Sequence, residues 1–279
     1  GSISNVILDY IFIFPLNLGM FGAAFATGLA PIISMSILAL HYIKKKNNFH
    51  FAKSKLKTAD IVNICSLGVS SFVSEVASGI ILIVFNLLIL GIAGNIGVAA
   101  YGIVANLALV ATAIFTGIAQ GTQPVLSKNF GRGNYDNIKD LLLYAIYLSL
   151  GISLSLYVLI VIFNTSLVNI FNRDNIDILS KTAAYGLIIY FAGFFFAGVN
   201  IIISSVLSSI NKAKSALVIS VLRSGFLIIP LAIILSISFQ MTGVWLSFVL
   251  SEMITLVAAI YLVKKNCFKY LYPSFAYDK

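Results

Sequence analysis

Charge is what this sequence has least of. Only 10% of its 279 residues are Asp, Glu, Lys or Arg, where a soluble domain carries about 25%. Against that, 60% are hydrophobic and the mean hydropathy is +1.03. Together these exclude an ordinary soluble domain and point to a polytopic membrane protein. A signal peptide would supply one short apolar run at the N-terminus, but here such runs recur to the end of the chain. Cysteine is also scarce. Cys65 and Cys267 are the only two. They have no paired spacing that would make a metal site, and both fall near the side assigned below to the cytoplasm, where disulfides are disfavoured. No glycine loop ending in Lys-Ser/Thr is present, since "NFGRGN" lacks that ending, so nothing points to ATP use. No serine triad and no His/Cys cluster is visible, which argues against an enzyme and against a cofactor. His41 and His50 flank a basic loop, where a solvated interfacial position explains them better than a pH-sensing role.

What is there is a series of apolar segments, at about 3–17, 20–43, 61–90, 98–126, 141–163, 182–209, 216–236 and 243–263. Turn-forming residues separate them: "NLG" at 17–19, "GIAGNIG" at 91–97, "NRDNID" at 172–177, "NKAK" at 211–214 and "SFQMTG" at 238–243. Longer polar loops lie at 44–60 and 127–140. Most segments have the roughly 20 residues that a bilayer helix needs, and a backbone in lipid must satisfy its own hydrogen bonds. The expected fold is all-α, a polytopic membrane bundle of eight transmembrane helices. The net charge of +9 is a matter of position, because the basic residues sit in loops. Fifteen of the 18 Lys and Arg residues fall in the even-numbered connections or the C-terminal tail. Only Arg173 and Lys181 fall on the other side, and Arg223 lies inside a span. The positive-inside rule places the even loops and the C-terminus in the cytoplasm.

The first helix pair resembles the last. Both Asp9–Thr27 and Ser224–Glu252 run into Pro-Leu (Pro15-Leu16 and Pro230-Leu231), then a short break, a glycine (Gly22 and Gly243) and a helix rich in small residues. A parallel repeat of this kind is common in transporters. It makes 61–263 a complete six-helix lobe and 1–43 the last two helices of another. The 44–60 stretch is then a basic inter-lobe loop and 264–279 a cytoplasmic tail. The chain reads as the back two-thirds of a twelve-helix protein.

At this point particular stretches resemble a known family. "NVILDYIFIF…GMFGAAFAT", "SEVASGI", "GIAQGTQPVLSKNFGRGN" and "LRSGFLIIPLAIIL…TGVWLSFVLSE" look like helices five to twelve of the multidrug and toxic compound extrusion (MATE) family, in its bacterial multidrug branch. The resemblance implies a two-lobed antiporter that exports cationic or amphiphilic drugs in exchange for Na⁺ or H⁺. It also implies a bacterial inner-membrane location and a full-length monomer that meets drugs and lipid but not nucleic acid. The family's ion-coupling aspartate of the first helix lies outside this chain. Some members carry a second aspartate in the tenth helix. The corresponding stretch here, "YGLIIYFAGFFFAGVNIIISSVLSS", has no acid, and Asn200 is its mid-depth polar group. A lipid-linked oligosaccharide flippase shares the general architecture, but it would need a more basic cavity than one Arg223 supplies. A truncated chain without transport activity is the third reading.

Polar groups inside the spans are the candidate site. Glu75 is the only charged residue between Ile61 and Ser127. An unpaired charge at that depth costs roughly 2.5–3.5 kcal/mol, and the acid escapes that cost by taking a proton, binding a cation or facing a wet cavity. Gly68, Ser71, Gly79 and Asn86 share its helical stripe. Glu75 is therefore the expected ion-coupling residue, with a protonated interhelical hydrogen bond as the structural alternative. The next span has a stripe of Thr112, Thr116, Gln120, Gln123 and Ser127, with Pro124 expected to kink it. Gln120, Gln123, Asn86, Asn200, Tyr190 and Glu252 are candidate substrate contacts. Tyr190 belongs to an aromatic cluster able to stack on a drug. Arg223 is expected to snorkel or to pair structurally.

Overall fold

A computed structural model describes residues 2–44, 58–172 and 174–271. Most of the 44–60 loop with His50, together with Arg173 and the tail beyond Leu271, lies outside the described residues, as do the side chains of His41 and Cys267. All the regular structure described is helical: α1 (Ser2–Ile13), α2 (Gly19–Ile43), α3 (Thr58–Gly131), α4 (Tyr135–Phe171), α5 (Asp177–Ala192), α6 (Phe194–Ser209), α7 (Ala213–Val221), a π turn (Leu222–Phe226) and α8 (Ile228–Leu271). Four of these helices are long and apolar enough to cross a membrane, or five spans if the bent α5–α6 pair is one of them. Large apolar side chains stand on the outer surface, with Ile237 80% exposed and Phe72 67% exposed. Water would not tolerate such a surface, but lipid does.

The chain forms two compact units, divided at Leu56/Lys57. In the first, α1 and α2 pair as a hairpin, with Phe12 and Phe25 rings 5.5 Å apart. In the second, α3 packs on every later helix and α6 packs on α8. One apolar cluster gathers Phe85, Tyr101, Phe115, Phe194 and Trp245, and another gathers Leu126, Ile138, Ile202, Val206 and Ile219. Lipid gives little hydrophobic drive between helices, so close approach of small residues matters instead. A Cβ on Gly186 would lie 2.6 Å from the Trp245 indole, and one on Gly198 would lie 2.5 Å from Ser149 Oγ.

Several breaks differ from the expected loops. "GIAGNIG" and "SFQMTG" remain helical apart from one residue each, Gly94 (φ 61°, ψ −158°) and Gln240 (φ 49°, ψ −128°). The span at 182–209 is bent by 44° at Gly193. The α3 helix continues through Pro124, whose missing N–H does not interrupt it, and α8 extends into the stretch assigned to the tail. Gly22 and Gly243, matched in the internal repeat, are both crowded by chain that precedes the break. A Cβ at the first would meet Phe12, and one at the second the Leu235 carbonyl.

The two single-residue breaks carry opposite predictions. Gly94 occupies a conformation that a side chain resists, so Gly94→Ala should destabilise the protein by about 1–3 kcal/mol. Gln240 already bears that strain with a side chain, so Gln240→Gly should stabilise it by about 1 kcal/mol. Unfolding midpoints in detergent should move in opposite directions. Equal or absent shifts would show that neither backbone position is strained.

Candidate functional site

Three of the polar residues expected inside the spans come together in the second unit. Asn200 is on α6, Arg223 is in the π turn, and Glu252 is on the distal arm of α8. Arg223 Nε donates to both carboxylate oxygens of Glu252 at 3.0 Å. Asn200 Nδ2 donates to Glu252 Oε2 at 2.7 Å and to the Glu252 backbone carbonyl at 2.9 Å. The Glu252 side chain is 4% exposed and that of Arg223 22%. A bare carboxylate could not sit so deep, and the guanidinium compensates it. Asn200 is fully buried, and its Oδ1 has no partner among the described residues.

The local sequence explains how Arg223 reaches this position. Ser224 (ψ 43°) and Gly225 (φ 111°) leave helical geometry, so the ladder is interrupted just after the arginine. Turns of the π type occur frequently at functional sites. Glycine supplies the positive φ at no steric cost.

An aromatic group lies beside this cluster. Phe248 precedes Glu252 by one helical turn, and Tyr190 stacks on it with centroids 4.1 Å apart and planes 5° from parallel. Trp245 meets Tyr190 edge-on at 6.4 Å and Tyr101 at 6.1 Å. Tyr190 is thus buried in a packed cluster of rings.

The other expected residues are not drawn into this network. Glu75 is exposed, and no described residue makes an ion pair or hydrogen bond with it. Gln120 and Gln123 are exposed, and Asn86 is half-buried. Thr112 of the same stripe bonds back to the Ala108 carbonyl, a local contact. Among the described residues no three His, Cys, Asp or Glu side chains converge as metal ligands would.

One acid in the first unit was not among the expected site residues. Asp9 lies on α1 with one carboxylate oxygen, Oδ1, buried and without a partner among the described residues. Asn5, four residues earlier and so on the same helical face, donates to Thr27 Oγ1 on α2 at 3.5 Å. The signal that marked Glu75 was available here too: an acid inside an apolar run with polar neighbours at helical spacing.

Apolar helices broken within their length, an inter-helix ion pair and acids left single define a polytopic helical membrane protein with polar sites inside its spans. The MatE family model matches residues 70–234, more than half of the chain. The chain belongs to the MATE family, a family of transporters. The multidrug export protein MepA of Staphylococcus saprophyticus is 24% identical over 265 residues, covering 93% of this chain and 57% of its own length. MepA of Staphylococcus aureus strain N315 is 26% identical over the same shares. A crystal structure of MATE in complex with MaL6 superposes with a TM-score of 0.89 at 20% identity, covering 96% of this chain and 61% of that one. At that identity the likeness shows the fold. The chain spans about three fifths of the length of these relatives.

Proposed function

We propose that these residues serve in a secondary active multidrug exporter that exchanges cationic or amphiphilic compounds for H⁺ or Na⁺ across the bacterial inner membrane. The family membership supports export, and one contrast carries the coupling assignment. Glu252 is held by Arg223 and Asn200, whereas Glu75 has no partner among the described residues. Only a carboxylate not already neutralised is free to exchange a proton or a cation during a cycle. Asp9 has the same freedom in the first unit. Gln120, Gln123 and Asn86, which remain outside the ion-pair network, are the substrate contacts in this reading.

The same reading has eight crossings. Helices α3 and α8 each cross twice, doubling back at Gly94 and Gln240. The α5–α6 pair is one bent crossing, and α7 with the π turn joins the proximal arm of α8. With α1, α2 and α4, these make eight. Residues 61–263 form a six-helix lobe and 1–43 the last pair of another, with the basic 44–60 loop and the C-terminus on the cytoplasmic side. The full-length protein works as a monomer.

Glu75→Gln tests the coupling assignment, because it keeps the shape and removes the titratable charge. In proteoliposomes of the full-length protein, ethidium efflux driven by a Na⁺ or pH gradient should fall at least tenfold, while ethidium binding stays within about twofold. Normal gradient-driven efflux by the variant would make Glu75 a structural residue.

A further inference from the structure

The outer face of the last helix ends in a definite order of residue types. Along the distal arm of α8, Ala259, Leu262 and Val263 turn inward against the cluster that holds Ile202 and Ile219. The opposite face carries Val257, 68% exposed, then Tyr261, 62% exposed, then Lys264 and Lys265, both exposed. Steps of three and four residues keep these on one side. Lys265 Nζ lies 5.9 Å from the centroid of the Tyr261 ring, a cation–π contact that leaves ammonium N–H donors for oxygen acceptors. Neither lysine makes an ion pair among the described residues, and the sequence has no acid between Glu252 and Asp278.

The order matches the layers of a bilayer. The last apolar segment begins at Gly243. At 1.5 Å per residue Tyr261 lies about 27 Å further on, and Lys264 about 32 Å. A hydrocarbon core about 30 Å thick therefore ends between them. The ring falls at the edge of the core, where aromatic side chains with a polar tip are enriched, and the ammonium groups fall among the headgroups. Helix α8 continues to Leu271, and Lys269 follows Lys265 at the same four-residue step. A zwitterionic headgroup brings its own cation to its phosphate, whereas an anionic headgroup leaves its charge for the protein. Each lysine near such a surface is worth about fivefold in association. Because both lysines continue the face that lipid covers, a lipid is the occupant that reaches them.

We propose that Lys264 and Lys265, with Tyr261 setting the position of Lys265, hold the phosphate of an anionic phospholipid at the cytoplasmic end of the last helix. The site ties that end of α8 to the headgroup layer. The assignment rests on the eight-crossing reading above and is independent of the compounds exported.

A reporter inside the site tests it. Tyr261→Trp keeps an aromatic ring under the ammonium, since an indole serves a cation–π contact as well as a phenol does. Trp245 is 1% exposed, and its residual signal is subtracted with the parent chain. The purified 279-residue chain is reconstituted in vesicles of mixed phosphatidylcholine and phosphatidylglycerol, with bromine as a quencher in the acyl chains of one lipid or the other. Quenching at position 261 should favour phosphatidylglycerol over phosphatidylcholine at least fivefold. Adding Lys264→Gln/Lys265→Gln should bring that preference to within about twofold, while Lys264→Arg/Lys265→Arg, which keeps both charges, should retain it. Equal quenching by the two lipids in the reporter chain would overturn the assignment and leave the eight crossings standing. A preference that survives the glutamine pair would overturn it as well. Quenching by neither lipid would place position 261 away from the acyl chains and overturn both.

Discussion

Replacing Arg223 alone by methionine is expected to destabilise the protein by about 3–5 kcal/mol, the cost of leaving a buried partner charge uncompensated. Glu252 is the reason. Its side chain is 4% exposed, and Asn200 supplies only one neutral donor to its carboxylate. Without the guanidinium its charge is left uncompensated in the interior. Neutralising both partners at once avoids this. In Arg223→Met/Glu252→Gln the glutamine carbonyl can still accept from Asn200 Nδ2, and no charge is left bare, so most of the loss should be recovered. The measurement is the unfolding free energy in mixed micelles for the parent, both single variants and the pair. A double variant as unstable as Arg223→Met would show that lost packing by the arginine stem, not lost charge, sets the cost.

Trp245→Ala should cost about 3–5 kcal/mol, as truncation of a large buried aromatic does elsewhere. The indole is 1% exposed and lies among Tyr101, Tyr190 and Gly186. Its loss leaves a cavity whose walls forfeit dispersion contacts, the main source of helix association in lipid. A second substitution tests the geometry. Gly186→Ala places a methyl group 2.6 Å from Trp245 Cε2, and a rigid, enclosed ring cannot move aside, so about 1–3 kcal/mol should be lost. In the Trp245→Ala background the obstacle is gone and Gly186→Ala should be nearly neutral. Additive losses in this double-mutant cycle would mean that the two positions do not touch.

The helices were legible because lipid demands long uninterrupted apolar runs, and such runs stand out in any sequence. The bend at Gly193 was less so, because it occupies a single residue inside an apolar stretch where no cluster of polar residues announces it. The break at Gln240 falls within "SFQMTG", where turn-forming residues did mark it, although it takes one residue rather than a loop. Arg223, Glu252 and Asn200 were each conspicuous as polar groups within spans. Their convergence was not, since they are separated by 29 and 52 positions and meet only through the packing of α6, the π turn and α8. Tyr190 stands out in the sequence for its chemistry, but Trp245 and the stacked Phe248 reach it from α8, beyond the reach of periodicity within its own helix. Asp9 was overlooked although its acid-in-apolar-run signature matched that of Glu75.

The Arg223–Glu252 pair also bears on electrical behaviour. Its two formal charges cancel, so a membrane potential does no net work on the pair when it shifts as a unit. A single unpaired charge crossing the full field would instead gain or lose about 2.3 kcal/mol per 100 mV. Any voltage dependence of a rearrangement involving these helices must then come from groups whose charge is not cancelled locally. Among the acids inside the apolar spans these are Glu75 and Asp9, neither of which is held in an ion pair among the described residues.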